Sequence, residues 1–161
     1  MWWRLTKTAI FSVLAPGTVG VLIPFWLRRS AAHYFPVPPL QIPLGILMFV
    51  IGAGIYLWCA WDFVVKGFGT PAPIDAPKVL VVQGLYRFTR NPMYVGVSSM
   101  VVGQMIYWGS SAIAVYLLLV ITAFSLFVIF YEEPALRRQF GAAYEEYCRC
   151  VPRWFGPRRA T

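Results

Sequence analysis

The chain has 161 residues, of which 59% are hydrophobic, 17% aromatic and only 12% charged, with a formal net charge of +8. This composition excludes a disordered chain and disfavours a soluble globular protein, because a fold of this size has too small a core to hide so much apolar surface. The excess apolar surface must face lipid, and the length is typical of a single membrane domain over residues 1–161.

Long stretches without charge predict the membrane spans. Residues 8–27 carry no charge, and residues 30–61 carry none except the possible charge of His33. Residues 91–131 also lack charge. That stretch is too long for one span and right for two, since a bilayer core needs about 20 apolar residues per helix. We therefore predict an all-α integral membrane protein with four transmembrane helices, at residues 8–27, 40–61, 92–107 and 112–131.

The distribution of lysine and arginine predicts the orientation. With four spans, the N-terminus, the connecting segment 62–91 and the tail 132–161 lie on one side of the membrane. They hold 12 of the 14 basic residues, and the other side holds only Arg28 and Arg29. The positive-inside rule then predicts a multi-pass protein with both termini in the cytoplasm. Topology and anionic lipid headgroups account for the basic excess, so we expect no nucleic-acid partner.

The three cysteines and the single histidine do not form a metal-site pattern. Cys59 lies inside the second predicted span, and Cys148 and Cys150 are too close in sequence for a comfortable mutual disulfide. His33 is predicted on the opposite side of the membrane from that pair, and a metal site needs more ligands. We expect three free thiols and no bound metal.

The connecting segment contains Gly67 and Gly69, followed by Pro71 and Pro73. Glycine allows a ligand to approach the backbone closely, so this loop is a candidate ligand contact. Most loops rich in glycine and proline only turn the chain, and this one lacks the third glycine and the βαβ setting of a dinucleotide fingerprint. Taken alone, the loop is a weak signal.

The start of the third predicted helix is the most informative local pattern. Asn91 is a favoured N-cap residue and Pro92 a favoured first helical residue, so the helix should begin here, at the cytoplasmic face. Its free N–H groups attract an anion, and Arg90 can bind a carboxylate or phosphate with two hydrogen bonds. An ordinary capped helix with a snorkelling arginine explains these residues equally well. Small residues on one face of this helix predict close packing against another helix: Gly96, Ser99 and Gly103.

The fourth predicted span ends in Glu132, Glu133 and Pro134. Adjacent carboxylates at a membrane boundary are costly without partners, and they can accept hydrogen bonds from ribose hydroxyls or from an α-amino group. The alternative is that two solvated acids simply end the helix. Beyond the proline, apolar residues recur at helical spacing, which predicts an amphipathic helix over residues 134–149 that covers the site.

Taken in order, these motifs resemble the integral-membrane methyltransferases, which include isoprenylcysteine carboxyl methyltransferase and the phospholipid N-methyltransferases. The resemblance implies S-adenosylmethionine as the methyl donor, held on the cytoplasmic side by the last two spans and the C-terminal segment. It implies a lipophilic acceptor, such as an isoprenylcysteine-like carboxylate or a phospholipid amine. The ordered set is specific, although each motif alone is not. It covers about residues 66–155 and consists of Gly67-Phe68-Gly69, Arg90-Asn91-Pro92-Met93-Tyr94-Val95-Gly96, Glu132-Glu133-Pro134, Phe140-Gly141, Tyr144, Tyr147 and Val151-Pro152.

Individual residues match the motifs of this family. Gly67 and Gly69 match the Gly-x-Gly donor motif of the phospholipid enzymes, and the two glutamates match the pair that binds the donor. The carboxyl methyltransferases have an Arg-His-Pro-x-Tyr-x-Gly motif, which this chain follows except for Asn91 in place of histidine. The resemblance implies Arg90 and Glu133 as catalytic residues. It implies a cofactor-binding set of Gly67, Gly69, Arg90, Asn91, Pro92, Tyr94, Gly96, Glu132, Glu133 and Tyr144.

Two other functions fit parts of the pattern. One is a non-catalytic transporter or assembly subunit with four membrane helices. A transporter usually places polar residues at mid-bilayer, whereas here they lie at one boundary. The other is an NADPH-dependent membrane reductase of related architecture, since fold does not determine the cofactor. The methyltransferase interpretation requires Arg90 and Glu133 to lie close together beside a shared cavity.

Overall fold

The computed structural model of the protein describes residues 13–29, 39–65 and 79–156, together with Thr6 and Ile10. In these parts of the chain the secondary structure is helical, without β-strands. The predicted ligand residues Gly67 and Gly69, and His33, lie outside them.

Six helices form the protein in the described ranges. Helix α1 is π-helical over Val13–Leu22 and α-helical over Ile23–Leu27. Pro16 lies inside it, and a proline that lacks an N–H disturbs the regular hydrogen-bond ladder. The others are α2 (Gln41–Val65), α3 (Pro92–Trp108), α4 (Ser111–Phe127), α5 (Glu133–Phe140) and α6 (Ala142–Cys150), with a 3₁₀ turn at Gly84–Arg87.

Two helices are long and apolar enough to cross a membrane. One is α2, and the other is the continuous helix Ser111–Phe140, which comprises α4, a π-helical turn at Val128–Glu132, and α5. They contain the second and fourth predicted spans. The first predicted span corresponds to a shorter apolar helix, Leu14–Leu27, and the third corresponds to α3. The number of spans therefore stays a prediction.

The structure corrects two predicted boundaries. The helix of the fourth predicted span does not end at the two glutamates but continues through them, because Pro134 falls in the first turn of α5, where a missing N–H is tolerated. The predicted helix over residues 134–149 is instead two helices. Gly141 separates them with φ +52°, a left-handed conformation that glycine adopts without steric cost.

Helices α2 and α3 pack with their backbones in contact. A Cβ atom added to Gly52 would lie 2.5 Å from the carbonyl oxygen of Gly96, and one added to Gly103 would lie 2.5 Å from the amide nitrogen of Phe49. Only hydrogen fits at such positions. This is the close packing that the small residues of α3 predict.

Helix α1 is attached to α3 and α4 by side-chain hydrogen bonds. The buried amide of Gln104 donates to the carbonyl of Gly20, and the Tyr116 hydroxyl donates to the carbonyl of Val19 at 2.9 Å. Both acceptors belong to the π-helical part of α1. In an apolar environment such bonds satisfy backbone carbonyls that water cannot reach.

We predict that Gly52→Ala destabilises the protein and that Gly54→Ala does not. The added methyl at position 52 meets the α3 backbone and should cost about 1–3 kcal/mol of stability. At position 54 of the same helix, nothing lies within 4 Å of the added atom. Thermal unfolding in detergent measures the difference, and equal melting temperatures for the two variants would contradict the backbone contact.

Candidate active site

Residues 89–91, which precede α3, hold the C-terminal tail. The helix begins at Pro92 as predicted, but the Asn91 side chain does not cap it. Its amide donates instead to the carbonyl of Arg153 at 2.9 Å, and the Thr89 hydroxyl donates to the same oxygen at 3.0 Å. The backbone N–H of Arg90 donates to the carbonyl of Pro152 at 3.0 Å. Three hydrogen bonds therefore fix the tail to the start of α3.

A buried carboxylate lies at the centre of the site. The side chain of Glu133 is only 4% exposed, and Arg153 binds it with two hydrogen bonds, Nε to Oε1 at 2.7 Å and Nη2 to Oε2 at 3.0 Å. Arg90 Nη1 donates to Oε1 at 3.0 Å. Arg137 lies 4.0 Å away on the exposed side. Such close pairing is needed, because an unpaired charge at this depth would be strongly destabilising.

The neighbouring carboxylate has a different environment. Glu132 accepts a hydrogen bond from the Tyr94 hydroxyl at 2.8 Å, and in the described part of the chain no arginine or lysine forms an ion pair with it. The Tyr94 ring packs between Phe124, with ring centroids 4.7 Å apart, and Trp154, with centroids 6.4 Å apart. The structure thus gives the two adjacent glutamates separate environments: one is neutralised by arginines, and the other accepts a hydrogen bond from a tyrosine.

Helix α6 closes the site from the other side. Tyr144 is buried, and the Tyr147 hydroxyl donates to the backbone carbonyl of Tyr86 at 2.7 Å. Burial raises the pKa of the Tyr147 phenol, so it remains a neutral donor at physiological pH. Arg90 Nη1 also donates to the Cys148 thiol at 2.8 Å. The predicted free thiols are confirmed for all three cysteines.

A cavity of about 260 Å³ joins these groups. Its polar wall contains predicted site residues from α3 and the two residues before it, from the junction of the π-helical turn with α5, and from α6: Arg90, Asn91, Tyr94, Glu132, Glu133 and Tyr144. Its apolar wall is made by α1, α2, α3 and α4, with Val19, Tyr56, Phe63, Val97, Phe124 and Val128 among the lining residues. Arg90 and Glu133 therefore meet the requirement set by the sequence, since they touch each other and share a cavity.

Two of the predicted site residues lie elsewhere. Pro92 begins α3 behind the cavity wall, and Gly96 faces the α2 backbone, where a Cβ atom would lie 2.8 Å from the carbonyl oxygen of Gly52. Both shape the helix that presents Arg90 and Tyr94 rather than lining the cavity.

Comparison with known families identifies the family of the chain. A family model described as phospholipid methyltransferase matches residues 40–143, more than half of the chain. The chain belongs to the phospholipid methyltransferase family. No curated protein and no solved structure matches it significantly. The resemblance seen in the sequence is confirmed at the level of the family, and family membership together with two helices of membrane-crossing length indicates a membrane protein.

Sequence reasoning missed three residues of the site, and the family match ends before two of them. Arg153 and Trp154 lie in a tail that contains several arginines, and charge alone does not distinguish one of these arginines from the others. Thr89 is a single hydroxyl in a polar loop. The one available signal was the proximity of Arg153 to the Val151-Pro152 motif.

We predict that Tyr147→Phe lowers the stability of this family member. The variant leaves the buried carbonyl of Tyr86 without its donor, which should cost about 1–3 kcal/mol. Tyr131→Phe is the matched control, because Tyr131 is half exposed. Thermal unfolding of both variants in detergent measures the effect, and an unchanged melting temperature for Tyr147→Phe would show that the bond is not needed.

Proposed function

We propose that the protein is a membrane methyltransferase that transfers a methyl group from S-adenosylmethionine to a lipophilic acceptor. One observation carries the proposal. A single cavity joins the Arg90–Glu133 ion pair, the Tyr94–Glu132 pair and an apolar wall contributed by helices that include both candidate membrane spans. Family membership supports the same activity.

The polar wall suits the chemical groups of the proposed donor. Glu132, which no arginine neutralises in the described ranges, favours an ammonium group or ribose hydroxyls. Aromatic rings on the cavity wall, among them Tyr94 and Phe124, favour a positively charged sulfur. Arg90 provides a cation for the donor's carboxylate. The volume, about 260 Å³, is close to the lower end of the roughly 300–1,000 Å³ typical of ligand pockets.

With a carboxylate acceptor the protein needs to supply no acid–base chemistry, whereas an amine acceptor must first give up its proton to water or to a neighbouring base. When bound, S-adenosylmethionine supplies an activated methyl group on a sulfonium. The side chains of the chain then position the acceptor and exclude water, and these effects account for most of the rate. Arg90 is held by Glu133 with its charge at the cavity wall, where it orients an anionic group. Glu132, held by Tyr94, binds polar groups of the donor.

The apolar wall suits a membrane lipid or a lipidated molecule as the acceptor. Its residues lie on α1, α2, α3 and α4, so a hydrocarbon chain can enter laterally between helices. An isoprenylcysteine-like carboxylate and a phospholipid amine are the two acceptor classes that we propose. We also propose four spans, a multi-pass topology and cytoplasmic termini, supported by 12 of 14 basic residues on one predicted side.

We predict that both glutamates are needed for donor binding, for different reasons. Glu132→Gln replaces a carboxylate of the cavity wall with a neutral amide that has one acceptor oxygen fewer, and should weaken binding of S-adenosylmethionine about tenfold to hundredfold. Glu133→Ala leaves two arginines without their counter-charge and should abolish binding, although the protein still inserts into membranes. Glu146→Gln is the control, since its carboxylate is exposed and its contacts, with Arg149 at 3.4 Å and with the Cys150 thiol at 3.8 Å, are not part of the cavity wall. Calorimetric titration of the detergent-purified protein measures all three.

The same titration separates the alternative functions. Normal affinity in Glu133→Ala would refute the role of that residue. If S-adenosylmethionine and its product give the wild-type protein neither a heat of binding nor thermal stabilisation, the transporter or assembly subunit is favoured. A heat of binding with NADPH, and none with S-adenosylmethionine, would favour the membrane reductase.

We further predict that the acceptor is found in the lipid fraction. Incubation of the purified protein with radiolabelled S-adenosylmethionine and a total lipid extract should transfer the label into organic-soluble material. Label that mild base converts into volatile methanol indicates a methyl ester, and label that stays non-volatile after the same treatment indicates an N-methylated headgroup. Label confined to water-soluble products would contradict a lipophilic acceptor.

A further inference from the structure

Arg153 binds the buried glutamate more completely than any other side chain described. It engages both carboxylate oxygens, at 2.7 and 3.0 Å, whereas Arg90 reaches only Oε1. We propose that Arg153 is a positioning residue of the donor site, which fixes Glu133 and through it Arg90. This inference rests on the proposed function and extends it to a residue beyond the family match.

The position of Arg153 shows that it acts through another residue. Arg90 and Glu133 line the cavity, but Arg153 is absent from its wall, and 36% of its side chain is exposed. It therefore binds the carboxylate without lining the cavity. Because it binds both oxygens, it fixes the orientation of the carboxylate. Arg90 Nη1 donates to that carboxylate, so the same orientation determines the position of the Arg90 guanidinium.

The backbone of Arg153 serves the same arrangement. Its carbonyl accepts hydrogen bonds from Thr89 and Asn91, so a single residue contacts both the start of α3 and the start of α5. The next residue, Trp154, packs edge-on against Tyr94, which in turn donates to Glu132. The tail thus supports both the Arg90–Glu133 pair and the Tyr94–Glu132 pair. Loss of the Arg153 side chain removes the contact of the tail with Glu133.

The geometry at position 153 requires arginine, and lysine cannot replace it. A planar guanidinium can hold two carboxylate oxygens at once, whereas the ammonium of lysine is a point charge that cannot reproduce this fork. Lysine at position 153 would keep the charge but lose the orientation. Arg149 in the preceding helix gives a matched control, because it is 78% exposed and pairs at the surface with Glu146.

The experiment compares Arg153→Ala, Arg153→Lys and Arg149→Ala in the full chain in detergent. Calorimetric titration with S-adenosylmethionine should show affinity about tenfold to hundredfold lower in Arg153→Ala, an intermediate loss in Arg153→Lys, and less than a twofold change in Arg149→Ala. Adding Arg153→Ala to Glu133→Gln should change the affinity less than twofold further, because the arginine acts through that carboxylate.

A second measurement uses the protein without donor. The amide of Arg90 donates to the carbonyl of Pro152, so its hydrogen exchange reports whether the tail is held. Exchange at this amide should be faster in Arg153→Ala than in the wild-type protein, and unchanged in Arg149→Ala. The lysine variant keeps the proposal testable if the alanine variant does not fold.

Three outcomes would overturn the proposal. Wild-type donor affinity in both Arg153 variants would show that the side chain does not position the site. Equal losses for Arg153→Ala in the wild-type and Glu133→Gln backgrounds would show that it does not act through Glu133. If the wild-type protein bound no donor, the proposed function would fail and the donor role of Arg153 with it, and faster exchange alone would then indicate a purely structural role.

Discussion

The pairing of the Glu133 carboxylate with Arg90 and Arg153 is the interaction on which the rest of the site depends. A carboxylate that is 4% exposed is stable only with close partners, and here the partners come from distant parts of the chain. Satisfying one charge therefore brings together the start of α3, the start of α5 and the tail. The cavity lies beside the first two of these segments, and the tail supports them without lining it.

The local helix geometry explains why two adjacent glutamates differ so much. Successive residues of a helix point in directions about 100° apart, so Glu132 and Glu133 cannot face the same partner. The π-helical turn that ends at Glu132 lies at this junction, and such turns are frequent at functional sites. One carboxylate is thus committed to the arginines, and the other stays available at the cavity wall beside Tyr94.

Local and compositional features were predictable from the sequence, and long-range features were not. The helical class, the start of α3 at Pro92, the close packing of Gly96 and Gly103, and the family all followed from patterns of neighbouring residues. The actual partner of Asn91 could not be predicted in this way, because the Asn91 amide binds a carbonyl 62 positions away rather than its own helix. The passage of the helix through Pro134 and its break at Gly141 depend on backbone conformations that composition does not fix.

The contact between the glycines of α2 and α3 has a mechanical consequence. Two backbones that touch along several turns cannot slide or separate without losing contacts at every one of those positions, so this half of the molecule is rigid. Helix α1 is attached more lightly, through hydrogen bonds from Gln104 and Tyr116 to its π-helical part. Separating α1 from its neighbours therefore breaks fewer close contacts than separating α2 from α3, so the α1 side is the easier route of entry and exit for the acceptor that we propose.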